Sequence, residues 1–196
     1  MSDKLRLFIA VRFSDEVREN LARMQERLRH RLPPAADIKW VPPANIHLTL
    51  QFLGNVDAGL LPKLAGSLNG AYDDVAPFPA ELAGLGAFPS PRRARVIWAG
   101  MRHGADGLRA LHAATLRVTE GFGFEPEKRP FKAHVTLGRA RSRKRRQPGP
   151  DISAALEAQA EVEIGKCQID AVHLVKSELK PQGPEYSTLD SFPVGG

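Results

Sequence analysis

The sequence predicts an α+β fold built largely on antiparallel sheet, and three observations lead there. Segments with strand alternation and segments with helical periodicity follow one another irregularly along the 196 residues. The strand-like segments near the C-terminus are adjacent, as in hairpins. No G-x-G-x-x-G or P-loop motif occurs, so a regular βαβ array that cradles a nucleotide has no support.

The first elements can be predicted from their apolar spacing. Residues 6–13 (RLFIAVRF) alternate Leu, Ile, Val and Phe with other residues, as in a strand with one buried face. Ser14 is a predicted N-cap, and the two acids that follow it favour the positive end of a helix dipole. Apolar residues then recur every three or four positions up to Leu32, and the prolines at 33 and 34 end this helix.

The remaining elements follow by the same criteria. Further strands are predicted over residues 38–41, 46–53, 95–100, 131–138, 160–169, 171–179 and 185–190. Helices are predicted over residues 59–72, 108–122 and 152–160. Residues 78–93 mix strand character with Gly and Pro turns, and residues 139–150 form a basic loop that contains Pro and Gly.

Composition limits the partners and the compartment. The formal net charge of +6 and the pI of about 9.8 favour polyanionic partners such as nucleic acid or phosphorylated ligands. The single cysteine, Cys167, excludes an intrachain disulfide and suggests a reducing compartment. Because no signal-peptide core or membrane-length apolar run occurs, we expect a soluble, cytoplasmic chain without membrane attachment. No coiled coil is visible, so a monomer is expected.

One pattern of four residues occurs twice. NIHLTLQFLG (45–54) and KAHVTLGRAR (132–141) both contain His, an apolar residue, Thr and Leu. Two of the six histidines would each have a Thr two positions later in only about one of a hundred shuffled sequences. Since side chains at i and i+2 of a strand share a face, His47 and Thr49 lie together, as do His134 and Thr136. Strict alternation places Gln51 with His47, and Leu48, Leu50 and Phe52 in the core.

Two His and two Thr suit acid–base chemistry at a phosphoryl group. A zinc site needs three or four protein ligands, and Thr is not a usual one. No G-x-S-x-G or Cys–His pattern indicates a nucleophile. One neutral imidazole can accept a proton from an attacking hydroxyl while one imidazolium donates a proton to the leaving oxygen. The Thr hydroxyls can donate hydrogen bonds to the non-bridging oxygens.

On these residues the chain resembles the 2H phosphoesterase superfamily, which is named for two H-x-T-x motifs. It is most similar to the RNA 2′,3′-cyclic phosphodiesterases, also called 2′-5′ RNA ligases. The similarity covers nearly the whole chain, through five blocks. They are RLFIAV, KWVPPANIHLTLQFLG, GAFPSPRRARVIWAG, FKAHVTLGRAR and LVKSELKPQGPEYSTL.

The resemblance implies one domain over residues 1–196, made of two intertwined, pseudo-symmetric lobes. Their antiparallel sheets flank a central cleft, with helices outside. It also implies that His47 is the proton donor to the leaving 3′ oxygen and His134 the proton acceptor that activates water. Thr49 and Thr136 hold the phosphate. The product is a 2′-phosphomonoester, and no metal or other cofactor takes part. Reverse 2′-5′ RNA ligation, in which a 5′-hydroxyl takes the place of water, is expected only as a side activity. RNA with a 2′,3′-cyclic phosphate end, tRNA fragments included, is the expected partner.

Two basic residues close to the second motif are candidates for substrate binding. Arg139 falls on the core side by strict alternation and reaches the cleft only if the strand bends at Gly138; otherwise it makes a surface ion pair. Lys132 lies two residues before His134 on the same nominal face. There it would attract phosphate and lower the pKa of that imidazole.

Each of the other candidate binding residues could instead have a purely structural role. Phe8, Trp40 and Phe88 can stack a terminal base or belong to the core. Two basic segments can either bind an RNA backbone or remain solvated. They are the run from Arg139 to Arg146 and the PRRAR segment, which contains Arg92, Arg93 and Arg95. His30, His103, His112 and His173 have no Thr two residues later and are interpreted as non-catalytic, while Ser177 and Tyr186 receive no role.

Three alternatives stay open. The chain could act on a small cyclic phosphate, such as a cyclic nucleotide or ADP-ribose cyclic phosphate, and activity on a mononucleotide alone would favour that. It could be a non-catalytic RNA-binding module, in which case binding would survive His-to-Ala changes without turnover. A His-based metalloenzyme would lose activity with a chelator.

Overall fold

The computed structural model describes residues 3–141, 149–181 and 183–196, and it contains two antiparallel sheets. The first sheet has the strand order β3-β1-β8-β9, with bounds Leu48–Asp57, Lys4–Val11, Ala171–Lys180 and Gly183–Pro193. The second has the order β2-β6-β5-β4-β7, with bounds Ile38–Trp40, Val135–Ala140, Val96–His103, Phe78–Phe88 and Glu163–Ile169. The helices are α1 (Asp15–Arg31), α2 (Leu61–Leu68), α3 (Ala105–Glu120) and α4 (Ser153–Glu157). The predicted α+β class is confirmed.

Each sheet contains the same strand–helix–strand unit. In the first sheet α1, followed by β2 of the other sheet, connects β1 to its antiparallel neighbour β3, and in the second α3 connects β5 to its antiparallel neighbour β6. The second strand of each unit follows a motif histidine, because β3 begins at Leu48 and β6 at Val135. The repeated tetrapeptide is therefore the visible part of a repeated supersecondary unit, and the two lobes that the family resemblance implies are present.

Each long helix covers the sheet of the other unit. α1 packs against β7 of the second sheet, where Gly165 leaves room for Val17. α3 packs against β3 of the first sheet, and its buried Thr115 hydroxyl lies 3.1 Å from the hydroxyl of Tyr72. A single cluster of buried apolar side chains joins both sheets to the helices. We call the helix-covered side of each sheet its core face and the opposite side its cleft face.

The predicted elements agree with the structure in their type more than in their bounds. The Ser14 hydroxyl accepts a hydrogen bond from the Val17 amide and caps α1 as expected. The helix predicted over 59–72 is α-helical only over 61–68, and the predicted short last strand extends over 183–193. The strand predicted from residue 131 begins only at Val135.

A β-bulge at Leu50 breaks the alternation of β3. Ala10 pairs with Thr49 and Ile9 with Gln51, so Leu50 is the extra residue. Gln51 thus turns to the core face, where it is 3% exposed and accepts a hydrogen bond from the Thr119 hydroxyl at 2.6 Å. Directly paired residues share a face, so Phe52 lies on the cleft face beside its partner Phe8. The predicted places of Gln51 and Phe52 are therefore wrong, because the bulge exchanges them.

A second bulge occupies the same place in β6. Trp98 pairs with Thr136, Ile97 with Gly138 and Val96 with Arg139, so Leu137 is the extra residue. The Leu137 carbonyl accepts hydrogen bonds from the Val41 amide at 2.9 Å and from the side-chain amide of Gln25 at 2.8 Å. Thr136 and Arg139 consequently share the cleft face. Strict alternation would have separated them, and the bend anticipated at Gly138 is in fact this bulge.

Gln25 on α1 holds the second bulge, and removing its amide should cost stability. Gln25→Met keeps the volume but deprives the Leu137 and Val41 carbonyls of a donor inside the protein. Loss of such buried hydrogen bonds should lower the free energy of unfolding by about 1–3 kcal/mol, measured by urea denaturation. The exposed Gln168→Met is the matched control and should change it by less than about 0.5 kcal/mol. Equal effects of the two substitutions would contradict the role given to Gln25.

Candidate active site

His47 stands at the entry to β3, held by hydrogen bonds at both ring nitrogens. Its Nδ1 lies 2.7 Å from the Asn45 carbonyl, and its Nε2 lies 3.0 Å from the Thr49 hydroxyl. A 3₁₀ turn over Pro43–Asn45 sets the position of that carbonyl. The Asn45 side-chain amide ties the turn to the first sheet by donating to the Pro184 carbonyl at 2.7 Å.

His134 repeats this arrangement at the entry to β6. Its Nδ1 lies 2.6 Å from the carbonyl of Lys132, again two residues before the histidine. A carbonyl oxygen only accepts, so each Nδ1 carries hydrogen and each neutral imidazole keeps its lone pair on Nε2. Both motif histidines therefore have the same tautomer, and in both Nε2 is the nitrogen that can gain or lose a proton.

Burial lowers the pKa of both histidines. For His47 desolvation is the largest cause, and the positive charges of Arg12 and Arg139 lower the pKa further. For His134 desolvation is again the largest cause, followed among the lowering effects by the charges of Arg139 and Lys132. The hydrogen bonds to the Asn45 and Lys132 carbonyls act in the opposite direction. The positive charge of Arg139 lowers the pKa of both histidines, so Arg139 acts on the two halves of the site at once.

Aromatic side chains enclose His47 on the cleft face of the first sheet. Its ring centroid is 4.8 Å from that of Phe8 and 5.3 Å from that of Tyr186. Phe8 is only 3% exposed, whereas the neighbouring Phe52 is 48% exposed, with 6.0 Å between their ring centroids. The ring that is open to stack a base is therefore Phe52, while Phe8 supports it from below. Tyr186 had no assigned role, because only the pairing of β8 with β9 brings it here.

A second aromatic group surrounds His134. Phe88 lies edge-on to the imidazole at 5.1 Å between centroids, and Trp98 lies at 6.4 Å. The Lys132 ammonium stands 4.4 Å from the Trp98 ring centroid and 5.4 Å from that of Phe88. These cation–π contacts hold a positive charge beside the second histidine. Trp98 was not a candidate from the sequence; its pairing with Thr136 shows that it shares the motif face.

The cleft face of the second sheet carries two further cations. Arg139 lies beyond Thr136, as described, and Lys39 of β2 pairs with it directly. Lys39 was missed because β2 is only three residues long and its partner strand is distant in sequence.

Two of the candidate residues lie elsewhere. Trp40 pairs with Gly138, a core-face position, and its ring packs under the Arg29 guanidinium of α1, so it does not reach the cleft. Arg92 lines a depression beside α4 and acts electrostatically on Asp151. Trp40 thus lies on the core face of the second sheet, and Arg92 lies beside α4.

Arg93, by contrast, lies beside the second histidine's group. It lines a cavity of about 720 Å³ together with Phe88, Arg95 and Arg129. Only the ends of the basic 139–150 segment belong to the described structure, so residues 142–148, and the electrostatic role expected of them, lie outside it.

The other histidines are dispersed. His112 stacks on Phe131 at 4.2 Å, and His103 faces Glu81 at 3.8 Å. His173 is different, because it lies on the cleft face of β8. Within residues 3–141, 149–181 and 183–196, no group of three or more His, Cys, Asp or Glu has a metal-binding arrangement. Among the helices described, none is long and apolar enough to cross a membrane.

Comparison with known protein families finds two matching segments in this chain, as the repeated His-x-Thr motif would predict. The sequence profile of a family described as "LigT like Phosphoesterase" matches residues 11–98 and again residues 100–186, one motif in each segment. The chain belongs to the LigT-like phosphoesterase family. Each matched segment contains one motif strand and the long helix that precedes it, α1 with β3 in the first and α3 with β6 in the second.

Curated relatives in this family are named RNA 2′,3′-cyclic phosphodiesterase. One from Methanothermobacter thermautotrophicus is 32% identical, over 96% of this chain and 98% of its own. Another from Aeropyrum pernix is 36% identical, over 86% and 92%. A crystal structure of a Thermus thermophilus protein superposes with a TM-score of 0.74 at 34% identity, over 97% and 98%. Escherichia coli LigT complexed with 3′-AMP gives 0.76 at 25% identity, over 99% and 100%.

Gly86 makes room for the indole that supports His134, which can be tested. A Cβ at Gly86 would overlap the six-membered ring of Trp98. Gly86→Ala should therefore displace Trp98, change its fluorescence emission and destabilise the fold by about 1–3 kcal/mol. Gly66→Ala, where a Cβ would meet open space, is the matched control: it should leave the emission unchanged and, because Gly66 lies in α2, stabilise the fold by up to about 1 kcal/mol. An unaltered emission spectrum in Gly86→Ala would contradict this packing.

Proposed function

We propose that this protein hydrolyses RNA 2′,3′-cyclic phosphate ends to 2′-phosphomonoesters by metal-independent acid–base catalysis. The observation that carries the proposal is the matched pair of histidines. Each donates Nδ1–H to a carbonyl and keeps Nε2 for proton transfer, and one arginine charge acts on both. The names of the curated relatives support the substrate class.

The proton transfers assign one role to each histidine. His134 Nε2 accepts a proton from water as the water oxygen bonds to phosphorus. The bond from phosphorus to the 3′ oxygen breaks on the opposite side, and His47 donates its Nε2 proton to that oxygen. The 2′ oxygen keeps the phosphate. His134 ends protonated and His47 neutral, and exchange with solvent restores both.

The groups beside the histidines suit an anionic substrate. Thr49 and Thr136 offer hydroxyls to the non-bridging oxygens, and Arg139 supplies a nearby positive charge. The negative charge of bound substrate raises the pKa of His47, which favours the protonated form that a general acid needs. If a 5′-hydroxyl replaces water as the nucleophile, the same base takes its proton and the same acid protonates the leaving 3′ oxygen, which gives a 2′-5′ linkage, with water as the dominant competitor.

The surrounding surface favours RNA. Phe52 offers an open ring for a base, and Arg93, Arg95 and Arg129 line a cavity on the His134 side that is large enough for a nucleotide. A second candidate is hydrolysis of small cyclic nucleotides, which the mononucleotide complex of E. coli LigT favours.

Both histidines should be needed, and a metal should not. In EDTA, a short RNA with a 2′,3′-cyclic phosphate should give only the 2′-phosphate product, identified by mapping the phosphate position. His47→Ala and His134→Ala should each lower kcat by about 10²- to 10⁴-fold, because each removes one proton transfer. His112→Ala, away from the cleft, is the control. Activity that depends on a metal, or that survives in both mutants, would refute the mechanism, and turnover of mononucleotides alone would select the second candidate.

The charge of Arg139 should set the pH range of activity. It lowers the pKa of both histidines. Arg139→Gln removes this effect, so both pKa values rise. The acidic limb, where His134 must lose its proton, and the alkaline limb, where His47 must keep its proton, should both move to higher pH. The kcat/KM profile measures this shift. Arg139→Lys keeps the charge and should leave the limbs near their wild-type positions; a downward shift in Arg139→Gln would contradict the assignment.

A further inference from the structure

A second polar group lies on the cleft face of the first sheet, beside His47. Arg12 follows Val11, which pairs with Leu48, so Arg12 and His47 stand at the same level on neighbouring strands. The guanidinium extends over the sheet and donates to the Thr188 hydroxyl of β9 at 3.1 Å. Its positive charge lowers the pKa of His47 and of His173. Arg12 thus lies between a catalytic histidine and one that the mechanism does not use.

The pairing of the strands places His173 in the same row as the motif threonine. Ala10 pairs with Thr49 on one side and with His173 on the other, and His173 pairs with Ser191. His173 Nδ1 lies 2.8 Å from the Ser191 hydroxyl. Neighbouring strands are about 4.8 Å apart, so Thr49 and His173 are separated by about 10 Å on one face. Ala10 between them has the smallest side chain in the row and is fully buried, so the larger polar side chains on either side form the surface there.

The charge of this group suits an anion. In the described part of the chain no ion pair joins Arg12 to a carboxylate. Asp170 lies in the turn before β8, and its negative charge raises the pKa of His173, against the larger lowering effect of burial. Asp190 pairs with Leu174 on the opposite face and is exposed. A guanidinium, an imidazole and two hydroxyls without an interposed acid are the donor types that bind phosphate.

We propose that Arg12, His173, Thr188 and Ser191 form a second phosphate subsite, which binds the phosphodiester on the 5′ side of the terminal nucleotide. The proposal rests on the function proposed above, because the direction of the reaction selects this side. His47 protonates the 3′ oxygen, so the ribose lies towards His47 and the first sheet. The next phosphate of the RNA therefore extends over that sheet, about one nucleotide from the reacting phosphorus.

The subsite can be tested with two substrates that differ by one phosphate. Adenosine 2′,3′-cyclic phosphate occupies only the catalytic site, and its 5′-phosphorylated form adds an anion where the chain would continue. For the wild type, kcat/KM should be about tenfold or more higher with the 5′-phosphate, as expected for one charge-assisted contact. This advantage should shrink with rising salt.

Substitutions then locate the effect. Arg12→Gln should reduce the ratio of the two kcat/KM values to near one, and His173→Asn should reduce it in part. Arg117→Gln removes the same charge from an exposed position on α3 and should keep the wild-type ratio. Because any change in the pKa of His47 affects both substrates, the ratio isolates binding at the subsite. A wild-type ratio of one, or an equal loss for both substrates in Arg12→Gln, would overturn the proposal.

A binding measurement decides the question without turnover. Calorimetry should show adenosine 2′,5′-bisphosphate binding about tenfold more tightly than adenosine 2′-phosphate, with the difference abolished in Arg12→Gln. If neither cyclic mononucleotide nor the RNA with a 2′,3′-cyclic phosphate is hydrolysed, the proposed function fails, and this difference in affinity still supports the subsite. Equal affinities would overturn the subsite alone.

Discussion

The extra residue in each motif strand is the constraint on which the site depends. Alternation in a strand has a period of two, so an inserted residue exchanges the faces of everything that follows. In both strands the insertion is the leucine directly after the motif threonine. The histidine and threonine keep one face, and the third residue after each threonine returns to that face. Those residues are Phe52 and Arg139, so equivalent positions provide an aromatic surface in one lobe and a cation in the other.

The bulges explain which features of the site could be predicted from the sequence and which could not. Two His-x-Thr pairs on strands, the helix that begins at Ser14 and the apolar face of β1 follow from local spacing, and they are found as predicted. The place of Phe52 and the cleft orientation of Arg139 depend on a bulge, which alternation alone does not reveal. Tyr186, Trp98 and Lys39 reach the site through pairing between strands distant in sequence, and no local pattern marks such pairing. The sequence left Trp40 either as a base-stacking residue or as part of the core, and its strand pairing turns it towards α1.

The two halves of the site are alike in their backbone and different in their surroundings. Both imidazoles are held by a carbonyl two residues earlier, which fixes the same nitrogen for proton exchange. His47 is enclosed by Phe8 and Tyr186, while His134 has an ammonium held between two rings. A repeated scaffold thus supplies two equivalent imidazoles, and the side chains around them give each imidazole a different environment. The charge of Arg139 affects both, so changes at that residue act on the pair together.

The strands and helices of the two units interlace. β8 and β9 from the C-terminal part complete the sheet that begins with β1 and β3, and β2 from the N-terminal part adds to the other sheet. The long helices also cross over, because α1 packs against the second sheet and α3 against the first. A chain divided between residues 69 and 77 would give two fragments with one motif histidine each, and neither fragment could complete a sheet or cover it. Such fragments would be obligate complements, and recovered catalysis would report their reassembly in the way a split reporter does.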